Sequence, residues 1–174
     1  MRLTTVQEPV PSSIDRVEQM FQAHHRLVFR TAYRITGNAT DAEDVLQTVF
    51  LRLVGREASA EPLENPESYL RRAAVNAALD VMRARATAQT AELVETASPH
   101  NEIEGSELRD GLRRALASLH PHAAEVFALR FLEGYDNREI ARMLGISTVH
   151  VAVILHRARR RLQREIRSQI GGHR

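Results

Sequence analysis

The sequence predicts an all-α protein made of two small helical domains joined by a flexible linker. Three observations carry this. Apolar residues recur at spacings of three and four almost throughout, and strict alternation is scarce, so little or no sheet is expected. Charge falls in three blocks: residues 1–88 hold 11 Arg and 11 acids, residues 89–110 hold 1 Arg and 6 acids, and residues 111–174 hold 12 Arg and 5 acids, giving net 0, −5 and +7. Helical patterning also fades from Ala86 to about Ser106, a stretch that contains Pro99, Gly105 and most of the acidic excess. The boundaries that follow are 10–87 for a first domain, 88–106 for an acidic linker and 107–170 for a second domain. A length of 174 residues suits one ordinary domain or two small ones.

Composition narrows the classes further. The chain is 43% hydrophobic but only 5% aromatic, with no Trp, so its cores must be mostly aliphatic. Cysteine is absent, which excludes disulfides, thiolate metal sites and thiol nucleophiles and fits a reducing compartment. The start, MRLTTVQEPVPSS, lacks the apolar core of a signal peptide. No run approaches the roughly 18 apolar residues of a membrane span. A soluble, cytoplasmic protein without membrane insertion is expected. The basic third block points to a polyanionic partner.

The elements can be placed in order. Ser13 is the expected cap of a first helix in which Ile14, Val17, Phe21, Leu27, Val28 and Ile35 recur at helical spacings, and Gly37-Asn38 stops it. Thr40 is the expected start of the next helix, with Glu43 completing a capping box. Residues 55–66, with two prolines, read as a loop. Asn65 caps and Pro66 opens a third helix, roughly to Arg85. Helices resume near Leu108, where Leu112, Leu116 and Leu119 form a stripe broken at His120-Pro121. Val126, Leu129 and Phe131 lie on the helix after that, which ends near Gly134.

Three segments carry functional information. In TDAEDVLQTVFLRL, residues 40–53, one apolar stripe (Val45, Leu46, Val49, Phe50, Leu53) leaves Asp44, Gln47, Thr48 and Leu51 on another face. A capped amphipathic helix with a solvated polar face explains this equally simply. In residues 65–86, Leu70, Ala73, Ala74, Ala77 and Val81 form a small-residue inward stripe, while Tyr69, Arg72, Asn76, Asp80 and Arg83 share an outward strip. An exposed ring beside arginines and an amide suits unpaired bases, since the ring stacks, Arg holds phosphate and Asn both donates and accepts. The same strip also reads as solvated arginines with Tyr69 covering the helix start.

The third segment, DNREIARMLGISTVHVAVILH at 136–156, is the most specific. Asp136 caps with Glu139 three residues on, Ile140, Ala141 and Leu144 point inward, Gly145 turns, Ile146 plugs the turn and Ser147 caps a second helix. Ala141, Gly145 and Val151 occupy the small, turn and core positions of a helix-turn-helix. The second helix runs on into residues 157–167, which hold 6 Arg and 1 Glu. In such a motif this helix enters the major groove and its arginines reach phosphate. A two-helix core hairpin with a basic tail is the plainer alternative.

No catalytic centre, metal site or cofactor is expected. The His24-His25 rings diverge on a helix, His120-Pro121-His122 marks a helix break, and no third ligand is spaced to complete either site. No phosphate loop and no nucleophile elbow occur.

Together the segments resemble the extracytoplasmic-function sigma factors, small promoter-specificity subunits of bacterial RNA polymerase. DAEDVLQTVFLRL is similar to the family's polymerase-binding segment, and ESYLRRAAVNAALDVMRAR to the adjoining segment that opens and reads the promoter. LRRALASLHPHAAEVFALRFLEGYDNREIARMLGIS, followed by LHRARRRL, is similar to the C-terminal region-four domain. The resemblance spans about residues 14–168 and implies a non-enzymatic, two-domain helical protein. It implies that Asp41, Asp44 and Gln47, with Thr48 and Leu51, dock on the clamp coiled coil of the polymerase's largest subunit. It implies that Tyr69, standing where the family usually has Trp, helps Asn76 hold a flipped minus-ten base, with Arg72 and Arg83 alongside and loop 55–66 completing the pocket. The linker would pass through the polymerase's RNA path.

The recognition helix departs from the family. Where the family commonly has a basic-polar stretch, this chain has Ala152, Val153 and Ile154. Val149, Ala152 and Val153 should face the groove beside Thr148; they can contact thymine methyls but cannot make bidentate contacts to guanine. His156, Arg157 and Arg160 are left for the DNA backbone. An inhibitory anti-sigma protein is an alternative occupant of this apolar face. Two other functions stay open on sequence grounds: a stand-alone helix-turn-helix regulator, and a protein that binds polymerase or an anti-sigma factor without reading DNA.

Overall fold

Several helix ends among the described residues are set by short side chains and left-handed glycines that satisfy loose backbone groups. The computed structural model describes residues 12–57, 63–92 and 104–171, and among them are seven α-helices and no strand. Helix α1 (Ser13–Thr36) is capped by Ser12, one residue before the expected Ser13. The reason is reciprocal bonding: the Asp15 N–H donates to Ser12 Oγ and the Ser12 N–H donates to Asp15 Oδ2, which requires Asp15 three residues after the cap. Gly37, at φ 69°, ends α1. Helix α2 (Ala39–Glu57) is opened by Asn38 rather than Thr40, because Asn38 follows the left-handed turn directly and its Oδ1 accepts the Asp41 N–H at 3.1 Å.

Asn65 caps α3 (Pro66–Glu92) as the sequence predicts, accepting the Ser68 N–H at 2.9 Å. The helix then outruns its expected end near Arg85. Residues 86–92, ATAQTAE, lack an apolar stripe yet contain no breaker, and Ala and Gln propagate a helix unaided. Helix α4 (Glu104–Ala117) likewise begins inside the expected linker. Residues 93–103 of that linker, and 58–62 of the two-proline loop, lie outside the described residues.

Helices α1, α2 and α3 pack on one another around Val28, Ala32, Ile35, Val45, Val49, Leu53, Leu70 and Ala74, all buried. The predicted stripes of α2 and α3 face this core. The second unit comprises α4, α5 (Pro121–Phe131), α6 (Asn137–Leu144) and α7 (Thr148–Gly171). Its core holds Leu116, Leu119, Val126, Leu129, Ile140, Val151, Leu155, Ala158 and Leu162. Between α6 and α7 the path bends by 107°, within the range of a helix-turn-helix. Every predicted cap of this motif is present: Asp136 and Glu139 form a capping box, Gly145 sits at φ 65°, and Ser147 Oγ accepts the His150 N–H at 3.1 Å.

The sequence leaves open whether the two units pack, and here they do. Helix α3 contacts α4 and α5 as well as α1 and α2. It can do so because it carries a second apolar row, Val75, Leu79 and Met82, also buried. All the buried apolar residues of both units form one continuous cluster.

Candidate nucleic-acid interface

Three surfaces gather the predicted site residues. On α2, Asp44 and Gln47 are exposed, Thr48 is half-buried, and Leu51 is 71% exposed. Val54, also exposed, continues the seam one turn further. Sequence reasoning missed it, although Asp44, Gln47, Leu51 and Val54 follow spacings of three and four. Leu51 and Val54, one turn apart, make a small exposed apolar patch bordered by polar groups, the kind of surface a protein partner can cover. Asp41 does not join them. It is 6% exposed, and its Oδ1 takes an ion pair from Arg85 Nη2 at 2.6 Å, tying α2 to α3. In the free chain Asp41 is turned from this surface: lying in the first turn, it faces α3 because Ala42 and Val45 beside it anchor that side of α2 in the core.

The strip on α3 is assembled but not open. Arg56 lies over the half-buried Tyr69 ring at 5.3 Å. Arg72 donates from Nε to Glu125 Oε1 at 3.0 Å and from Nη1 to the Met143 carbonyl at 2.9 Å. Asn76 donates from Nδ2 to the same Glu125 oxygen at 3.1 Å. Arg83 pairs with Asp80 at 2.9 Å, one turn of its own helix away. The predicted outward strip therefore faces the second unit at Arg72 and Asn76, because α3's second apolar row brings α4 and α5 against that flank. Tyr69, Arg72, Tyr135, Arg142 and Met143 line a cleft of about 530 Å³ between the units.

Next to it, Glu133 is fully enclosed. Its carboxylate accepts from Thr31 Oγ1 at 3.0 Å, Arg34 Nη1 at 3.1 Å and Arg71 Nη1 at 2.6 Å. Arg71 also pairs with Glu67 at 2.6 Å and lies over the Tyr135 ring at 5.4 Å. Burial alone would lower the pKa of Arg71, but the bonds to Glu133 and Glu67 outweigh it and hold the guanidinium above its ordinary value. Burial likewise pushes the Tyr135 hydroxyl up. Neither Glu125 nor Glu133 was marked by the sequence.

The α7 surface is the open one. Thr148, Val149, Ala152, Val153, His156, Arg157 and Arg160 are all exposed, Val149 at 73% and Val153 at 40%. Their exposure follows from the inward row Val151, Leu155, Ala158 and Leu162, which commits the opposite face to the core. Arg159 turns aside to cover the exposed Phe131 ring at 4.8 Å.

Residues 20–87 match the family Sigma-70 region 2, and residues 109–162 match Sigma-70, region 4. The chain is 33% identical over 152 residues to the RNA polymerase sigma-E factor of Streptomyces coelicolor, covering 86% of this chain and 85% of that one. The chain belongs to the ECF RNA polymerase sigma factors. This sigma factor is also 31% identical over 153 residues to the sigma factor CarQ of Myxococcus xanthus, covering 88% of it. It is 30% identical to the ECF sigma factor SigE of Mycolicibacterium smegmatis, of which it spans 60%. Among solved structures it shares its fold with the sigma factor RpoE of Bartonella quintana, in complex with the anti-sigma factor NepR, at a TM-score of 0.51 and 21% identity over 87% of this chain and 97% of that one. No single described helix is long and apolar enough to cross a membrane.

Proposed function

We propose that this sigma factor directs core RNA polymerase to promoters and performs no chemistry of its own, acting in the cytoplasm where polymerase and chromosome meet. Its units take residues 10–87 and 107–170, with 88–106 between them as the segment threading the polymerase. In this reading Asp44, Gln47, Thr48 and Leu51, extended by Val54, seat α2 on the clamp coiled coil of the largest subunit. Asp41 contributes by fixing α2 on α3. Tyr69, Arg72, Asn76 and Arg83 hold the minus-ten strand once the second unit moves away. Base flipping costs a few kcal/mol of lost stacking, which ring and amide contacts must offset. On the minus-thirty-five duplex, Arg157, Arg160 and His156 hold phosphate, while Thr148, Val149, Ala152 and Val153 meet the groove floor.

One observation carries the choice over a stand-alone helix-turn-helix regulator: the exposed seam of Asp44, Gln47, Leu51 and Val54. Such a regulator has no use for solvated apolar side chains separated by three helices from its DNA-binding motif. The decisive experiment is run-off transcription with purified core enzyme on a randomised promoter library, and initiation from no template ends the reading. Within it, Leu51→Ala is expected to weaken core binding about tenfold, roughly 1.4 kcal/mol, with the melting temperature unchanged. Equal capture of both proteins by core polymerase would remove Leu51 from the docking surface.

An anti-sigma partner, as RpoE has in its complex with NepR, would suit the apolar face of α7. Val149 and Val153 favour that second reading, since they lack the donors that guanine recognition needs. Promoter-library enrichment that is blind to the minus-thirty-five position would support it.

A further inference from the structure

We propose that Glu125 and Glu133 form an intramolecular clasp that holds the two units together and competes with nucleic acid for the donors of α3. The inference rests on the assignment of Arg72 and Asn76 to the minus-ten strand. Residues 111–174 contain only 5 acids against 12 Arg. Asp136 and Glu139 serve the α6 capping box. Glu125 and Glu133 instead meet cations and amides of the first unit, 49 to 102 residues away in sequence.

Both carboxylates are withdrawn from water, with side-chain exposures of 8% and 0%. A buried carboxylate is retained only with several donors, and each has them. The closed form engages Nε and Nη1 of Arg72 and the amide of Asn76, so no base or phosphate can take those same hydrogen bonds without displacing Glu125 and the Met143 carbonyl. Glu133 adds a second point of closure on α3 through Arg71, the residue before Arg72, and reaches α1 through Thr31 and Arg34. A strand-binding state populated only as a fraction of the free protein binds weakly in proportion to that fraction. On this account polymerase confers DNA affinity by binding the form in which the units are apart.

The test uses the full chain, which has no native cysteine, with dyes attached after Arg52→Cys and Gln163→Cys, both exposed positions. One readout is the inter-dye distance. The other is affinity for a random-sequence single-stranded DNA pool without polymerase. Glu125→Gln with Glu133→Gln, which keeps shape and removes charge, is expected to lengthen the distance and tighten DNA binding about tenfold. Adding Arg72→Ala and Asn76→Ala is expected to abolish the gain in affinity and leave the distance long. Should the double Gln variant lose helix content, Arg34→Gln carries the test, since Arg34 is half-exposed and lies outside the DNA strip; a smaller shift in the same two readouts is expected. An unchanged distance in both variants overturns the clasp. A lengthened distance with unchanged DNA affinity overturns the competition and, with it, the assignment of α3 to DNA, while leaving closure in place.

Discussion

Helices α3 and α7 each carry arginines suited to nucleic acid, and the structure treats them oppositely. On α7, Arg157 and Arg160 stand in water opposite a core face that runs through Leu155, Ala158 and Leu162. On α3, Arg71 and Arg72 are clamped by Glu133 and Glu125 from the other unit. The difference lies in the number of apolar rows. Helix α7 has one, so its opposite face stays free. Helix α3 has two, so its flanks are covered and its charges must be matched from inside the protein. An arginine beside a second apolar row is a structural group in the free chain, whatever it does later.

The comparison breaks most visibly at Glu133. Glu133→Ala removes the carboxylate facing Arg71 and Arg34; Arg71 keeps Glu67, which puts the loss near the low end for a broken buried pair, about 3 kcal/mol. Urea unfolding should read this directly. A loss below about 0.5 kcal/mol, the range of ordinary surface changes, would mean that the junction holds no more tightly than the exposed arginines of α7.

A pair of glycines sharpens the same point with a smaller effect. Gly37 and Gly145 both lie in the left-handed region, at φ 69° and 65°. Alanine at either position costs about 1–2 kcal/mol in backbone strain. At Gly145 the added Cβ meets nothing within 4 Å, whereas at Gly37 it would sit 1.8 Å from Arg113 Nη2 of the second unit. The Arg113 guanidinium is the far end of a flexible side chain and can swing aside, so Gly37→Ala should lower the melting temperature only slightly more than Gly145→Ala. The excess should vanish when Arg113→Ala is combined with it, and an equal drop from the two glycine changes would show that Arg113 yields freely.

Next comes the open helix. Arg157→Ala should leave the unfolding midpoint unchanged and weaken duplex binding for all sequences, reducing the slope of log affinity against log salt by about 1. Altered base preference would contradict a phosphate contact.

What the sequence made legible was local. Asp136, Glu139, Gly145 and Ser147 each act on a group within four residues along the chain, so their chemistry can be read in order. The α2 seam was legible for the same reason, apart from Val54. Glu125 and Glu133 were not, because their partners lie 49 to 102 residues away and no periodicity links them. One signal did exist. Val75, Leu79 and Met82 form a second row at helical spacing on α3, and a helix apolar on two sides is an interior one. Reading only the Leu70–Val81 row made the strip at Arg72 and Asn76 look outward. The ion pair of Asp41 was hidden similarly: helix starts attract acids for dipole reasons, which conceals one held by a distant Arg85.

The smallest effect separates capping from clasping. Backbone hydrogen bonding from Glu139 holds the Asp136 carboxyl below its ordinary pKa, with help from Arg138 and against slight burial. A carboxyl with a depressed folded-state pKa binds its proton more readily in the unfolded chain, so it stabilises above the unfolded pKa and that stability is lost as the pH falls through the folded one. Asp136 is fully exposed, so solvent screens it and the effect should be modest. Asp136→Asn retains a capping oxygen and removes the titration. The protection factors of the α6 amides, with the intrinsic slowing of exchange in acid divided out, should fall from neutral pH down through the carboxylate range in the parent and less steeply in Asp136→Asn. Parallel curves would assign the acid sensitivity of α6 to the carboxylates that join the units, and the two kinds of acidic group would then no longer be separable by pH.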